Sequence, residues 1–290
     1  MIEASETLFL FLKIAAFVFG AVWGSFANVA IYRIPRKMSV VSPASSCPHC
    51  GRKIRFYENI PVVSYIFLLG RCAGCRQEIS IRYPVVELIS AVLSTTIFLI
   101  LASDTGNPME LAVSYLYYFF FTLSLLIITF IDIEHRIIPD VISIPMIIAG
   151  FGGFAYLDPL RWEESLLGII LGGGLVFLIL KGYFLIRKRE GIGGGDIKLM
   201  AAAGAFLGYK SLVFILFASA FQGLAYATAA YFLTGFPKKS GSDEYGAGDN
   251  TVKSLMTSEI PFGPFISLAA LEWLFFHGVI VDFINRLFTL

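Results

Sequence analysis

Two aspartates in this sequence stand at junctions between polar and strongly apolar stretches. Asp196 follows a glycine run in "EGIGGGDIKLM", and Asp132 ends an apolar stretch in "FIDIEHRIIPD". Two carboxyl groups that meet share one proton, because they cannot both ionise easily. The ionised group can then activate a water molecule while the protonated group polarises a carbonyl, as in aspartic proteases. The pair therefore predicts peptide-bond hydrolysis, provided that folding brings the two side chains together.

The glycines before Asp196 favour a positioning role. The run lacks the Lys-Ser/Thr ending of a phosphate-binding loop, but glycine permits close backbone approach, which leaves room for a peptide. The residues alone leave two other roles open. An acid can stabilise a helix N-terminus, as Asp196 and Asp140 are placed to do, or the two aspartates can translocate ions.

The four cysteines form two pairs, "CPHC" (Cys47 and Cys50) and "CAGC" (Cys72 and Cys75). Two C-x2-C turns present four thiolates, which complete a tetrahedral zinc site. Disulfides or free thiols are the alternatives, and a cytoplasmic location argues against disulfides because thiols stay reduced there. Four sulfur ligands leave no open position for water, so we expect a structural zinc ion and no ligand role for His49.

The elements that carry these residues are predicted to be membrane helices. The chain of 290 residues is 57% hydrophobic and 15% charged, whereas soluble domains carry about 25% charged residues. A bilayer core needs roughly 20 apolar residues per helix, which predicts an all-α polytopic membrane protein with about eight transmembrane helices. The predicted spans are residues 8–31, 84–102, 111–131, 138–157, 165–186, 197–209, 212–234 and 260–285. The sixth is short, so we expect it to be tilted, shielded by neighbours or fused with the seventh.

Charge distribution predicts the orientation. Net charge is only +1 and no dense basic stripe occurs, so nucleic acid is not an expected partner. The lipid bilayer is an expected partner because of the apolar composition. Lys and Arg concentrate in alternate connections, which therefore face the cytoplasm together with Asp132 and Asp196. The predicted regions are a first transmembrane helix (1–31), a cytoplasmic zinc-binding domain (32–83) and a membrane domain (84–290) with a mobile cytoplasmic loop at 237–259.

A known family shares these motifs. Residues 193–196 form the G-x-G-D signature of membrane aspartyl proteases, and with "IDIEHRIIPD" and "CPHC…CAGC" the chain resembles bacterial type IV prepilin peptidases. The resemblance continues in "GSFANVAIYRIP", "ENIPVVSYIFLLGRC" and "ISIRYPVVE". It implies an inner-membrane enzyme of type IV pilus or type II secretion systems. Such an enzyme cleaves the basic leader of prepilins or pseudopilins after a glycine, then methylates the new N-terminal residue, usually phenylalanine, with S-adenosylmethionine.

The resemblance also implies residue roles. Asp132 and Asp196 match the two catalytic aspartates, and Asp140 matches a structural acid. Lys198 either extends to the membrane interface or acts on the aspartates directly. For the methyl-donor site the resemblance points to the zinc-binding segment and its flanks. The candidates there, each of which can equally be an ordinary ion pair, cap or surface group, are Glu58, Asn59, Arg82 and Glu87.

Two other functional classes remain open at this stage. A proton-coupled transporter would use Asp132 and Asp196 to carry protons, although transport needs no thiolate-rich module. A membrane scaffold would use the same acids only as helix caps and would tolerate amide replacements.

Overall fold

The computed structural model describes residues 2–104, 107–187, 193–234 and 261–288. The predicted cytoplasmic loop at 237–259 lies outside these ranges. Within them the protein is helical and contains no β-strand, which confirms the predicted all-α class. The helices are α1 (Ile2–Arg33), α2 (Val63–Phe67), α3 (Arg82–Asp104), α4 (Pro108–His135), α5 (Asp140–Leu157), α6 (Trp162–Arg187), α7 (Gly194–Leu207), α8 (Lys210–Thr234) and α9 (Gly263–Phe288).

Most of these helices are suited to a bilayer. Six contain segments long and apolar enough to cross it, namely residues 6–33, 82–103, 108–135, 140–157, 210–233 and 263–283. They coincide with six of the predicted spans and confirm a polytopic membrane protein. Helix α6 has 26 residues and matches the predicted span at 165–186. Helix α7 has only 14 residues, about 21 Å at 1.5 Å per residue, which is too short to cross alone.

Helix α7 is shielded by neighbouring helices. Residues 199–206 are all buried, and α5, α6, α8 and α9 pack around them. Gly208 ends the helix with a φ of 76°, and α8 begins at Lys210, so α7 and α8 are separate helices. Of the three possibilities for the short span, namely tilt, shielding by neighbours and fusion with the next helix, the structure shows shielding.

The backbones of α6 and α7 touch directly. A Cβ atom added to Gly168 would lie 2.1 Å from the carbonyl oxygen of Gly204, and one added to Gly172 would lie 2.6 Å from that of Met200. The Ser165 hydroxyl donates a hydrogen bond of 2.7 Å to the carbonyl of Ala205. Small residues allow this close approach, which replaces the hydrophobic driving force that lipid does not supply. Helix α7 is thereby fixed against its neighbour.

Helix α4 divides two apolar cores. One of its faces packs against α1 and α3 through Phe119, Leu123 and Ile131. Another face packs against α5, α7, α8 and α9 through Leu125 and Ile128. Because α4 is shared by both cores, a side chain near its C-terminal end lies where the two halves of the molecule meet.

Candidate active site and metal centre

Asp132 lies in the last turns of α4 and is buried, with 5% of its surface exposed. Its Oδ2 accepts a hydrogen bond of 3.0 Å from the backbone N–H of Gly263, the first residue of α9. Unpaired N–H groups at a helix N-terminus favour a carboxylate. A Cβ atom on Gly263 would lie 2.7 Å from the same oxygen, so glycine is needed at this contact.

Asp196 lies in the first turn of α7, outside the six candidate spans, and is also buried. Burial, followed by the negative charge of Asp132, raises the pKa of Asp196 to about 7. The two aspartates therefore share one electrostatic environment. The structure brings together the two acids that the sequence singles out, at the same end of the bundle, and their catalytic role remains a prediction.

Ile138 fills the space between the helix ends that carry the acids. A Cβ atom added to Gly195 would lie 2.7 Å from Cβ of Ile138, and one added to Gly263 would lie 3.2 Å from its Cδ1. The start of α7 and the start of α9 thus approach the same side chain from two directions. Of Gly193, Gly194 and Gly195, the last is the one whose missing side chain permits this packing. Sequence reasoning missed Ile138 and Gly263.

Lys198 forms an ion pair with Asp140 rather than with either buried aspartate. The contact joins the first turn of α5 to the start of α7. Both side chains are partly exposed, so the pair contributes at most about 1 kcal/mol. The structure thus pairs Lys198 with Asp140, and the roles of both residues remain predictions.

A cavity of about 210 Å³ adjoins Asp196. Helices α6, α7 and α8 and the start of α9 enclose it. Among the described side chains that line it, all except Asp196 are apolar: Val176, Met200, Leu216, Ala220, Phe262 and Ile266.

The four cysteines converge in the segment between α1 and α3. Their sulfur atoms all lie within 4.8 Å of one another, and the Sγ atoms of Cys47 and Cys75 are 3.8 Å apart. Zinc–sulfur bonds of about 2.3 Å in a tetrahedron place the sulfurs about 3.8 Å apart. All four are free thiols, so the disulfide alternative is not formed. The donor set and its spacing fit a metal ion.

The two C-x2-C turns have the same backbone pattern. Cys47 accepts a hydrogen bond at its carbonyl from Gly51 N–H (2.9 Å), and Cys72 does so from Arg76 N–H (3.0 Å). Gly51 and Arg76 both have positive φ, at 69° and 60°. The backbone N–H groups of Cys75 and Gly74 lower the pKa of the Cys72 thiol to about 6. Each turn therefore presents its sulfurs in the same way, and Cys72 is prepared to bind as a thiolate.

Two of the four methyl-donor candidates make structural contacts in this segment. Glu58 pairs with Arg52 at 2.7 Å and accepts a hydrogen bond from Arg55 N–H at 3.1 Å. These contacts lower the pKa of Glu58, with the Arg55 N–H as the largest cause. Glu87 is buried in α3 and accepts a hydrogen bond of 2.7 Å from Val62 N–H. Glu87 therefore ties the cysteine segment to the helical bundle.

The other two candidates lie in different surroundings. Arg82 pairs with Glu134 and so connects the start of α3 to the end of α4. Asn59 is exposed and lines a cavity of about 310 Å³, whose polar side chains also include Ser25 and Arg33. The structure places Asn59, Glu58 and Glu87 around the same part of the segment, whereas Arg82 belongs to the contacts near the aspartates.

Comparisons with known proteins agree with these features. The bacterial Peptidase A24 N-terminal domain matches residues 18–101, and the type IV leader peptidase family matches residues 119–228. Several relatives are named prepilin leader peptidase/N-methyltransferase. The one from Dichelobacter nodosus is 33% identical to the chain, with 89% of each chain covered. The one from Neisseria gonorrhoeae is 35% identical, with 73% of this chain and 80% of the relative covered. The Aeromonas hydrophila relative is 30% identical, again with 89% of each covered. No solved structure matches the chain.

The helical membrane bundle, its buried acidic pair and these matches together define a membrane peptidase. The chain belongs to the type IV leader peptidase family. The resemblance drawn from the motifs is thus confirmed, and the relatives lend no support to a transporter.

Proposed function

We propose that the protein cleaves the basic leader from type IV prepilins and pseudopilins and then methylates the new N-terminal residue. The observation that carries the cleavage step is the shared burial and charge coupling of Asp132 and Asp196. Near neutral pH the pair holds one proton. The Gly263 N–H stabilises charge on Asp132, so the proton resides on Asp196.

Each aspartate then has one role in hydrolysis. Ionised Asp132 takes a proton from a water molecule as that water attacks the scissile carbonyl carbon. Protonated Asp196 donates a hydrogen bond to the carbonyl oxygen, which stabilises the developing negative charge. When the C–N bond breaks, the leaving amine takes up the proton that Asp132 accepted from the water, which returns Asp132 to its ionised form. Burial of both acids excludes bulk water, which strengthens these interactions.

We also propose that the end of the bundle with the aspartates faces the cytoplasm of the bacterial inner membrane. Of the basic connections, the described segments at 34–81 and 136–139 lie at that end, which agrees with the positive-inside rule. On this arrangement residues 1–31 anchor the chain, residues 32–83 form the zinc-binding unit associated with methyl transfer, and residues 84–290 carry the peptidase. The leader, which is polar, stays at the cytoplasmic face while the apolar pilin helix lies in the membrane.

The four thiolates hold a structural Zn²⁺ ion in this proposal, because a closed four-sulfur site leaves no position for substrate. S-adenosylmethionine supplies the methyl group. The cavity lined by Asn59, Ser25 and Arg33 supports a site beside it, since polar groups there can orient a charged, amphipathic ligand. Glu58 and Glu87 would hold the walls of that site in place, whereas Arg82, paired with Glu134, does not line the cavity.

The cleavage proposal is tested with purified enzyme, a prepilin and a labelled methyl donor. We expect Asp132→Asn and Asp196→Asn to abolish the mass loss of leader removal, because an amide can neither activate water nor supply a proton. Asp140→Asn is the matched control, since Asp140 is an acid at the same end that contacts only Lys198 in its ion pair; it should retain cleavage. Normal cleavage by either buried-acid variant would refute the two-aspartate mechanism and indicate that the acids serve only as helix caps.

A further inference from the structure

We propose that the apolar cavity beside Asp196 is the subsite for the side chain that follows the scissile bond, the first residue of the mature pilin. This inference rests on the proposed cleavage reaction and specifies how that reaction selects its substrate. It assigns the occupant of a cavity in which Asp196 is the one polar side chain among the described lining residues.

The position of the cavity selects a residue next to the scissile bond. Asp196 forms part of its wall, so a peptide whose carbonyl contacts Asp196 must place a neighbouring side chain at the cavity entrance. Phe262, which precedes the Asp132-binding Gly263, lines the same cavity. Asp196 therefore lines the cavity directly, and Asp132 is connected to it through Gly263, the neighbour of Phe262.

The direction of the cavity selects the mature side of the substrate. Its lining continues from Asp196 to Met200 and from Phe262 to Ile266, one helical turn further from the end that carries the acids. The basic leader belongs at the polar end and has no partner in an apolar space, because an unpaired polar group is costly to bury. The residue that begins the apolar pilin helix is itself apolar and lies on the membrane side of the scissile bond, so its side chain can enter the cavity.

The accessibility of the cavity agrees with entry from the membrane. Val176, Met200 and Ile266 are buried at its inner wall, whereas Ala220 on α8 is exposed. The side near Ala220 therefore opens to the outer surface of the bundle. A pilin helix that approaches within the bilayer can insert its first side chain there without crossing the helical core.

The test compares substrates that differ only in the residue after the cleavage site, which is Phe, Ala or Trp. We expect the wild-type protein to prefer Phe over Ala by at least about tenfold in kcat/KM, since an apolar pocket discriminates by the groups it buries. Ala220→Leu narrows the entrance, so it should reduce cleavage of the Phe substrate by about tenfold and change the Ala substrate by less than about twofold. Leu216→Ala widens the cavity and should raise the Trp-to-Phe ratio.

A matched control is Ala225→Leu, which adds the same group at an exposed position of α8 outside the cavity; it should leave all ratios unchanged. Ratios between substrates do not depend on the fraction of enzyme that is folded. Equal losses with all substrates, or ratios identical to those of the wild-type protein, would overturn the subsite and indicate a lipid chain as the occupant. Failure of the cleavage mechanism itself would appear separately, as leader removal by Asp132→Asn.

Discussion

The aspartate site and the cysteine segment lie at the same end of the molecule but are stabilised in opposite ways. Around the aspartates, backbones and side chains of α4, α7 and α9 pack closely, and residues 199–206 of α7 are all buried. Between residues 34 and 81 the buried side chains are Cys47 and Cys72 alone, while Phe56, Phe67 and Leu69 are more than 80% exposed. The first site is therefore held by packing, whereas the second has little apolar packing and would depend on a metal ion held by its four cysteines.

The strongest way to separate the two regions is to remove one sulfur ligand. Cys72→Ser should abolish metal binding and methylation of an already cleaved pilin, because the segment has no apolar core to replace the ion. Leader cleavage should stay within about threefold of wild type, since distant sites act independently. Metal content by mass spectrometry and the two activities measure this. His49→Ala, in the same turn, should retain metal. Parallel loss of cleavage and methylation in Cys72→Ser would show that the regions are not independent.

The next largest effect is expected when one methyl group is added beside Asp196. Gly195→Ala places a Cβ atom 2.7 Å from Cβ of Ile138 and should shift Asp196, lowering cleavage about 100-fold, because misplacement of about 1 Å has this cost. Gly194→Ala is the control, since a Cβ atom there meets nothing within 4 Å. Cleavage rates of both purified variants provide the measurement. If the two alanines behave alike, packing at Gly195 does not position Asp196.

The smallest effect is expected at the ion pair between Lys198 and Asp140. Lys198→Met should reduce kcat/KM for leader cleavage by less than about fivefold, because partly exposed pairs contribute at most about 1 kcal/mol. The charge-reversed variant Asp140→Lys with Lys198→Asp should recover most of that loss. A decrease as large as that of Asp196→Asn would instead mean that Lys198 acts on the buried acids directly, the second role that the sequence leaves open.

Residue type and position in the chain were sufficient to find the central features. Asp132 and Asp196 stand out because charges at the ends of apolar helices are costly, and the cysteine spacing indicates a four-ligand site. The spans followed from apolar length alone. Helix α7 (Gly194–Leu207) overlaps the short span predicted at 197–209, whereas its separation from α8 was only one of the outcomes that the sequence left open.

The contacts that complete the site were not visible in the sequence. Gly263 binds Asp132 across 131 positions of the chain, and no local pattern encodes a pairing at that distance. The glycine before the last apolar segment was the available signal, since it stands where a helix begins. Glu58 and Glu87 were selected as methyl-donor candidates, but only the structure reveals that their carboxylates accept hydrogen bonds from the backbone of the cysteine segment.

The shortness of α7 has a consequence for how membrane thickness affects the enzyme. Transmembrane helices tilt or distort when their apolar length differs from that of the surrounding lipid. Helix α7 is enclosed by other helices and does not need to match the lipid, so the depth of Asp196 is set by protein contacts such as Gly168 against Gly204. Thicker or thinner bilayers can tilt the outer helices while the carboxyl group of Asp196 keeps its place relative to Asp132.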